Sequence, residues 1–283
     1  MTADHAVVIG GGTMGAGIAQ VLLEAGASVT LVESGSERAA AAADRVAAGV
    51  RRRLRDVDDA ATIAADRLGR LKSVDGLAAA AGAAPALVVE AVPEDAALKQ
   101  AVLADVEEHL PDAALIASNT SSLSIAALAG GLTHPERFCG MHFFNPVPRS
   151  QLVEIVRGPA TAEGTVAAAL QWVSRVGKEA ITVRDSPGFA TSRLGVVIGL
   201  EAIRMLDDGV ASAEDIDKGM VLGYLFPIGP LRLTDLVGLD VRLSIAEHLA
   251  ITLGPRFEPP QLLRDKVAAG ELGRKTGKGF YEW

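Results

Sequence analysis

His5-Ala-Val-Val-Ile-Gly10-Gly-Gly-Thr-Met-Gly15-Ala-Gly17, running on through Ala25 and Gly26 to Ser28-Val-Thr-Leu-Val-Glu33, is the stretch on which the fold turns. His5 to Gly10 reads as a short aliphatic strand that ends directly in glycines. A helical stretch follows to Ala25, Gly26 stops it, and Ser28 to Glu33 reads as a second strand. Strand, glycine turn, helix and strand within about thirty residues form the setting in which a G-x-G-x-x-G pattern becomes specific for a dinucleotide. Gly10 permits the tight turn, Gly12 lets the backbone approach a pyrophosphate, and Gly15 lets helix and strand pack. Thr13 and Met14 open the helix, whose free N–H groups face the phosphates. Glu33 ends the second strand about twenty residues on, where an acid accepts the ribose hydroxyls and repels a 2′-phosphate. The expected cofactor is therefore NAD rather than NADP.

Outward from this unit, 36–70 reads as a pair of long alanine-rich helices, and Leu87 to Val92 as a buried strand running into Pro93-Glu94. A helix from Asp95 to His109 and a strand from Ala113 to Ser118 come next, the strand ending in Asn119-Thr-Ser121-Ser. Strands run from Arg137 to Phe144 and from Leu152 to Val156. A helix around 164–176 and a strand from Lys178 to Val183 close the first domain. Strands alternating with helices imply a parallel, doubly wound sheet of Rossmann type with ligands at the carboxyl ends of the strands. The glycine loop, Glu90 to Glu94 with Val92 between them, Asn119 to Ser122 and His142 to Asn145 all fall at such ends and are expected to surround one cleft.

Asp185-Ser-Pro-Gly188 reads as a turn and the domain boundary, giving an NAD-binding domain over 1–185 and a second domain over 186–283. Apolar residues recur at helical spacing over 189–206, 213–222 and 230–253, so the second domain is expected to be all-helical. Its apolar surfaces suggest a homodimer formed through it.

His142 stands among large apolar neighbours, and Glu154 in an otherwise aliphatic strand. Buried ionisable groups are costly unless paired. Two strands joined by a tight loop bring such an imidazole and carboxylate together, and a carboxylate-held His is a common general base. A core histidine and an edge-strand glutamate would look the same in isolation. The convergence of strand ends favours the functional reading.

The totals limit the alternatives. The 283 residues are 49% hydrophobic and 22% charged, enough to bury a sizeable core. Lys plus Arg number 27 against 35 Asp plus Glu, a net charge of −8 that argues against nucleic acid as partner. The one cysteine, Cys139, excludes an intrachain disulfide, suits a reducing compartment and reads as a small core residue. The Met1–His5 stretch lacks the positive charge of a signal peptide, and the apolar run Leu77 to Val89, interrupted by Gly82 and Pro85, is too short to span a bilayer. A cytoplasmic protein without membrane partner or metal site is expected. Arg51-Arg-Arg-Leu-Arg55, the most basic patch, reads as a solvated helix face, or, with Lys72, as a phosphate contact for a second ligand.

The motifs taken in order resemble one family across nearly the whole chain. They are Gly10-Gly-Gly-Thr-Met-Gly15, Glu90-Ala-Val-Pro-Glu94, Ser118-Asn-Thr-Ser-Ser122, His142-Phe-Phe-Asn-Pro-Val-Pro148, Val153-Glu-Ile155, Asp185-Ser-Pro-Gly-Phe189 and Gly273-Arg-Lys-Thr-Gly-Lys-Gly-Phe-Tyr281. This set is similar to the L-3-hydroxyacyl-CoA dehydrogenases, including bacterial 3-hydroxybutyryl-CoA dehydrogenases. The resemblance implies an NAD-dependent interconversion of L-3-hydroxyacyl-CoA and 3-ketoacyl-CoA, short acyl chains favoured. It makes His142 the general base and Glu154 its partner, has Ser121 and Asn145 hydrogen-bond the substrate, and places Glu90, Val92, Glu94, Lys99 and Asn119 near the cofactor. It also implies a homodimer built through the helical domain.

Three departures stand out. Glu33 replaces the family's usual Asp at the ribose. Phe226-Pro-Ile-Gly-Pro230 replaces a His-Pro-Met-Gly-Pro segment. Ser192, in Pro187-Gly-Phe-Ala-Thr-Ser-Arg193, stands where the family has a catalytic Asn. A hydroxyl reaches less far than an amide, so the substrate oxygen would be held through water or by Thr191. Two alternatives follow: a same-fold dehydrogenase of a carrier-protein-bound acyl group or a free hydroxy acid such as L-gulonate, or an NAD-binding protein with impaired catalysis.

Overall fold

The computed structural model describes residues 5–81, 84–111 and 113–283. Met1–Asp4, and Gly82 within the apolar run, lie outside the described residues. The chain divides into two compact units, Met1–Asp185 and Ser186–Trp283.

The first unit follows the order β1 His5–Ile9, α1 Thr13–Glu24, β2 Ser28–Glu33, α2 Ser36–Arg53, α3 Ala60–Gly69, β3 Leu71–Asp75, β4 Leu87–Glu90, α4 Ala96–His109 and β5 Ile116–Ser118. It continues with α5 Ile125–Ala129, β6 Phe138–Phe143, β7 Leu152–Arg157, α6 Glu163–Arg175 and β8 Glu179–Arg184. The eight strands form one sheet in the order β3-β2-β1-β4-β5-β6-β7-β8. Val7, Val8, Val88, Val89 and Ile116 are wholly buried, as the continuous aliphatic runs of a sheet covered on both faces require.

The sheet is mixed rather than parallel throughout, which corrects the expectation from strand–helix alternation. β7 pairs antiparallel with β6, and β8 lies parallel to β7. The cause is the short link between β6 and β7. A parallel return needs a crossover of a dozen or more residues, and 144–151 is too short for one. β3 was not apparent in the sequence. It is an edge strand whose Lys72 and Asp75 face solvent, and its polar alternation resembles loop.

The second unit is helical among its described elements: α7 Thr191–Asp207, α8 Ala213–Lys218, α9 Pro230–Val237, α10 Leu239–Leu253 and α11 Gln261–Ala268. The periodic run 230–253 is two helices, because Gly238 between them has φ 104°, a backbone state incompatible with helix. Leu200, Ile203, Leu231, Leu239, Ala246 and Leu249 belong to the core of this unit. Two buried carboxylates hold the C-terminal segment against it. Asp235 accepts N–H bonds from Phe280, Tyr281 and the Trp283 indole at 2.8, 2.9 and 2.8 Å. Asp217 accepts from the Leu231 and Arg232 amides at 2.8 and 2.9 Å and from the Tyr281 hydroxyl at 2.8 Å.

Candidate active site

The glycine loop has the steric character its sequence requires. Gly10 sits at φ 91°, and a Cβ there would lie 2.8 Å from the Ala91 carbonyl oxygen at the end of β4. A Cβ at Gly15 would collide with the Gly10 carbonyl oxygen, so α1 approaches the strand end more closely than any side chain permits. At Gly12 a Cβ would meet nothing within 4 Å. Gly12 and Thr13 are exposed and Met14 half-buried, and they open α1. An open glycine ahead of a helix N-terminus is a cradle for a pyrophosphate, so these residues fit a dinucleotide.

Glu33 turns back onto this loop. Its Oε1 accepts the Gly11 N–H at 2.6 Å, and its Oε2 accepts the Ser34 N–H at 3.2 Å. Arg45 of α2 donates to the Gly11 carbonyl from the same side. The carboxylate is thus fixed at the C-terminal end of β2, where the sequence reading expects an acid to meet a ribose.

At the ends of β4 and β5 lies a buried ionic cluster. Lys99 Nζ, 1% exposed, reaches Glu90 Oε1 at 2.7 Å, the Val92 carbonyl at 3.1 Å and Glu94 Oε2 at 3.4 Å. Glu90 also accepts the Val92 N–H at 2.7 Å and the Ser118 hydroxyl at 2.5 Å. Glu94 accepts the Thr120 hydroxyl at 2.6 Å, the Ser121 N–H at 2.9 Å and the Ser121 hydroxyl at 3.3 Å. Burial alone would raise the Glu94 carboxyl. The Thr120 hydroxyl, the Lys99 ammonium and the Ser121 amide outweigh it and hold the group below its ordinary range. The resemblance assigns Ser121 to the substrate, whereas here its hydroxyl proton is committed to Glu94. Ser118 and Thr120 complete the cluster; the Ser118–Ser122 motif contains both, but the sequence assigns neither a role, since buried hydroxyls look like ordinary strand-end residues.

His142 and Glu154 are cross-strand partners in the antiparallel β6–β7 register. Nδ1 of His142 lies 2.7 Å from Glu154 Oε2, with the residues 7% and 0% exposed. A carboxylate accepting from Nδ1–H fixes the tautomer in which Nε2 is the basic nitrogen. Phe144 packs its ring 4.4 Å from the imidazole. Asn119 accepts the Phe143 N–H on Oδ1 at 2.9 Å, which ties the end of β5 to the strand carrying His142. Since β1, β4, β5 and β6 are successive neighbours running in one direction, their carboxyl ends share one edge of the sheet.

Asn145 lies in the loop after β6. With Thr13 and four arginines, Arg45, Arg52, Arg53 and Arg149, it lines a cavity of about 560 Å³. Lys178 holds that loop by donating to the Val147 carbonyl at 2.6 Å and to the Ser150 carbonyl. Of the basic patch seen in the sequence, Arg52 and Arg53 reach the cavity. Arg45 and Arg149 were not anticipated, because only the fold sets them beside that patch. Lys72 points to solvent from the sheet edge. Ser192 belongs to the helical unit, where it is the second residue of α7 and half-buried. Cys139 is fully buried in β6, and burial pushes its thiol up to about 12, as befits an unreactive core residue.

A glycine cradle and a buried His–carboxylate pair, both at the ligand-binding edge of a doubly wound sheet, are the marks of a dinucleotide-dependent oxidoreductase. Comparison with known proteins narrows this class. Residues 5–186 match the family described as 3-hydroxyacyl-CoA dehydrogenase, NAD binding domain, and residues 188–283 match 3-hydroxyacyl-CoA dehydrogenase, C-terminal domain. A 3-hydroxybutyryl-CoA dehydrogenase of Mycobacterium tuberculosis is 40% identical over 98% of this chain and 97% of its own. The mitochondrial hydroxyacyl-coenzyme A dehydrogenase of Rattus norvegicus is 38% identical over 99% of this chain and 91% of its own. The crystal structure of a (S)-3-hydroxybutyryl-CoA dehydrogenase from Ralstonia eutropha superposes with a TM-score of 0.93 at 39% identity, covering 100% of this chain and 99% of that one. The chain belongs to the 3-hydroxyacyl-CoA dehydrogenase family, an enzyme family of oxidoreductases whose cofactor is NAD.

Proposed function

We propose that this enzyme interconverts L-3-hydroxyacyl-CoA and 3-ketoacyl-CoA, with the 3-hydroxybutyryl/acetoacetyl pair as preferred substrates and His142 as general base. The observation that carries this reading is the 2.7 Å contact between His142 Nδ1 and the buried Glu154 carboxylate. In the oxidative direction His142 Nε2 takes the proton of the C3 hydroxyl. Glu154 keeps the imidazole in the accepting tautomer and offsets the charge it gains. NAD, when bound, supplies the acceptor of the C3 hydride. Gly10, Gly12, Thr13, Met14 and Gly15 hold its pyrophosphate and Glu33 its ribose. Glu90, Val92, Glu94, Lys99 and Asn119 shape the cofactor side of the cleft. Asn145, Ser121 and Ser192 hold the substrate, Ser121 by accepting a hydrogen bond on its hydroxyl oxygen.

The arginine-lined cavity supports a phosphate-bearing thioester over a free acid, since Arg45, Arg52, Arg53 and Arg149 meet no equivalent charge in a small hydroxy acid. Ser192 in place of Asn is what favours the second reading, a same-fold dehydrogenase of a carrier-bound or free hydroxy acid. Initial rates of NADH and NADPH oxidation with acetoacetyl-CoA, longer 3-ketoacyl-CoAs and free 3-keto acids decide between them. Rapid NADH turnover on the short CoA thioester is expected. Its KM should rise with salt, and this dependence should weaken in Arg52→Ser/Arg53→Ser. Turnover of free acids alone would replace the reading with the second one.

We also propose that the enzyme works in the cytoplasm as a homodimer assembled through the helical unit. Leu225 and Ile251 support this, being large apolar side chains left 85% and 86% exposed on the helical unit.

A further inference from the structure

Gly11 is gripped from three sides. Its N–H donates to Glu33 Oε1 at 2.6 Å, and its carbonyl accepts from Nη1 of Arg45 on α2. A Cβ at Gly11 would collide with the Cβ of Ala42, which lies one turn before Arg45 on the same helix. The next residues, Gly12 and Thr13, open α1 where a pyrophosphate would lie. α2 therefore holds the loop that cradles the cofactor and, through Gly11, the acid expected at its ribose.

Arg45 also lines the arginine-rich cavity of about 560 Å³, together with Gly49, Arg52 and Arg53 of the same helix. Positions 45, 49, 52 and 53 share one face of α2. That face sits tightly on α1. A Cβ at Gly49 would collide with the side-chain oxygen of Gln20, which is only 5% exposed. Among the described residues, Arg45 is the one cavity arginine hydrogen-bonded to the glycine loop. A guanidinium carries five donors in a fixed plane, so it can keep the Gly11 carbonyl and still meet a phosphate.

We propose that Arg45 is a positioning residue that couples the two ligands of the site. A phosphate seated in the cavity fixes Arg45, Arg45 fixes Gly11, and Gly11 fixes Glu33 for the ribose. This rests on the reading above, in which the cavity takes the phosphates of a CoA thioester. Arg45 is an exposed, rotamer-rich side chain, and ordering it costs entropy. Whichever ligand arrives first meets that cost, so the second binds more tightly. Linkage makes the effect mutual, each ligand raising the other's affinity by the same factor. Repulsion between the phosphates of the two ligands acts in the opposite sense, but salt screens it at an exposed site.

The test is fluorescence titration of NADH on the purified enzyme at about 0.15 M salt, with and without saturating coenzyme A. Calorimetric titration of coenzyme A, with and without NADH, gives the reverse arm. In the wild type each ligand should lower the Kd of the other about fivefold. Arg45→Met should bring that factor to one, and Arg45→Lys, which keeps the charge but loses the fork, should keep part of it. A merely structural Arg45 would weaken NADH binding equally in both conditions and leave the factor intact, which overturns the inference. Arg52→Ser should weaken coenzyme A binding yet keep the factor at saturation. Loss of the factor there as well would make it a property of the overall cavity charge and overturn the inference too. If Arg45→Met does not fold, Arg45→Lys decides, and a factor equal to the wild type overturns the proposal. A wild-type factor of one or below, or an NADH Kd that climbs without limit as coenzyme A is added, overturns this inference alone when acetoacetyl-CoA is turned over. Absence of coenzyme A binding and of turnover on every CoA thioester overturns the proposed function and the inference with it.

Discussion

At the scale of single residues, the proposed chemistry rests on His142 and the acids around it. In that mechanism the imidazole is useful only while Glu154 holds Nδ1, and the pair is buried, so removing the proposed base should remove the proton acceptor without disturbing the glycine loop. His142→Gln is expected to lower kcat by about 10²–10⁴-fold, the range of general-base contributions. NADH affinity, followed by fluorescence titration, should stay as in the wild type. Near-normal turnover in this variant would remove the mechanism. Glu94 gives a stability signature instead. Its folded carboxyl titrates below the ordinary 4.5, so ionisation is favoured in the folded state. Its contribution is fully present above about pH 4.5 and is lost as pH falls through the lower folded value. Urea midpoints of wild type and Glu94→Gln should therefore differ most near neutral pH and converge in acid. A gap that widened in acid would contradict this account.

Among the elements, α1 and the β6–β7 hairpin do the positioning. α1 can sit on the ends of β1 and β4 because Gly15 offers no side chain to the Gly10 carbonyl. Gly15→Ala must push the helix away from the strand, at a cost of about 1–3 kcal/mol as for other overpacked sites. The expected outcome is a lower urea midpoint and NADH binding weakened at least tenfold, both measurable on purified protein. The hairpin contributes direction. Had β7 run parallel to β6, a crossover would have separated Glu154 from His142. The short, proline-bearing link 144–151 makes them opposite neighbours instead.

For the whole molecule, the exposed apolar side chains of the helical unit point to assembly. Leu222, Tyr224 and Leu225 lie close together in sequence and are 68, 74 and 85% exposed. Leu222→Glu/Leu225→Glu is expected to convert a dimer into a monomer in sedimentation-velocity runs, through repulsion and the lost apolar area. A monomeric wild-type protein would refute the proposed dimer.

The sequence by itself determined the dinucleotide half of the protein. Its signals are local: a glycine run between an aliphatic strand and a helix, an acid at the end of the next strand, and alternating strand and helix patterns up to Asp185. The same holds for His142 and Glu154 as candidates, because a polar residue in a buried run stands out in one dimension. Only the tertiary structure decided what depends on groups distant in sequence. The antiparallel turn of β7, the polar edge strand β3, the commitment of Ser121 to Glu94, and the meeting of Arg45 and Arg149 with Arg52 and Arg53 all needed it. So did the burial of Arg242, since nothing in Val-Arg-Leu shows that the residue lies on the core face with its Nε unpaired. Periodicity reports which face of an element is buried, but charge pairing and strand direction are settled by how elements from different parts of the chain pack together.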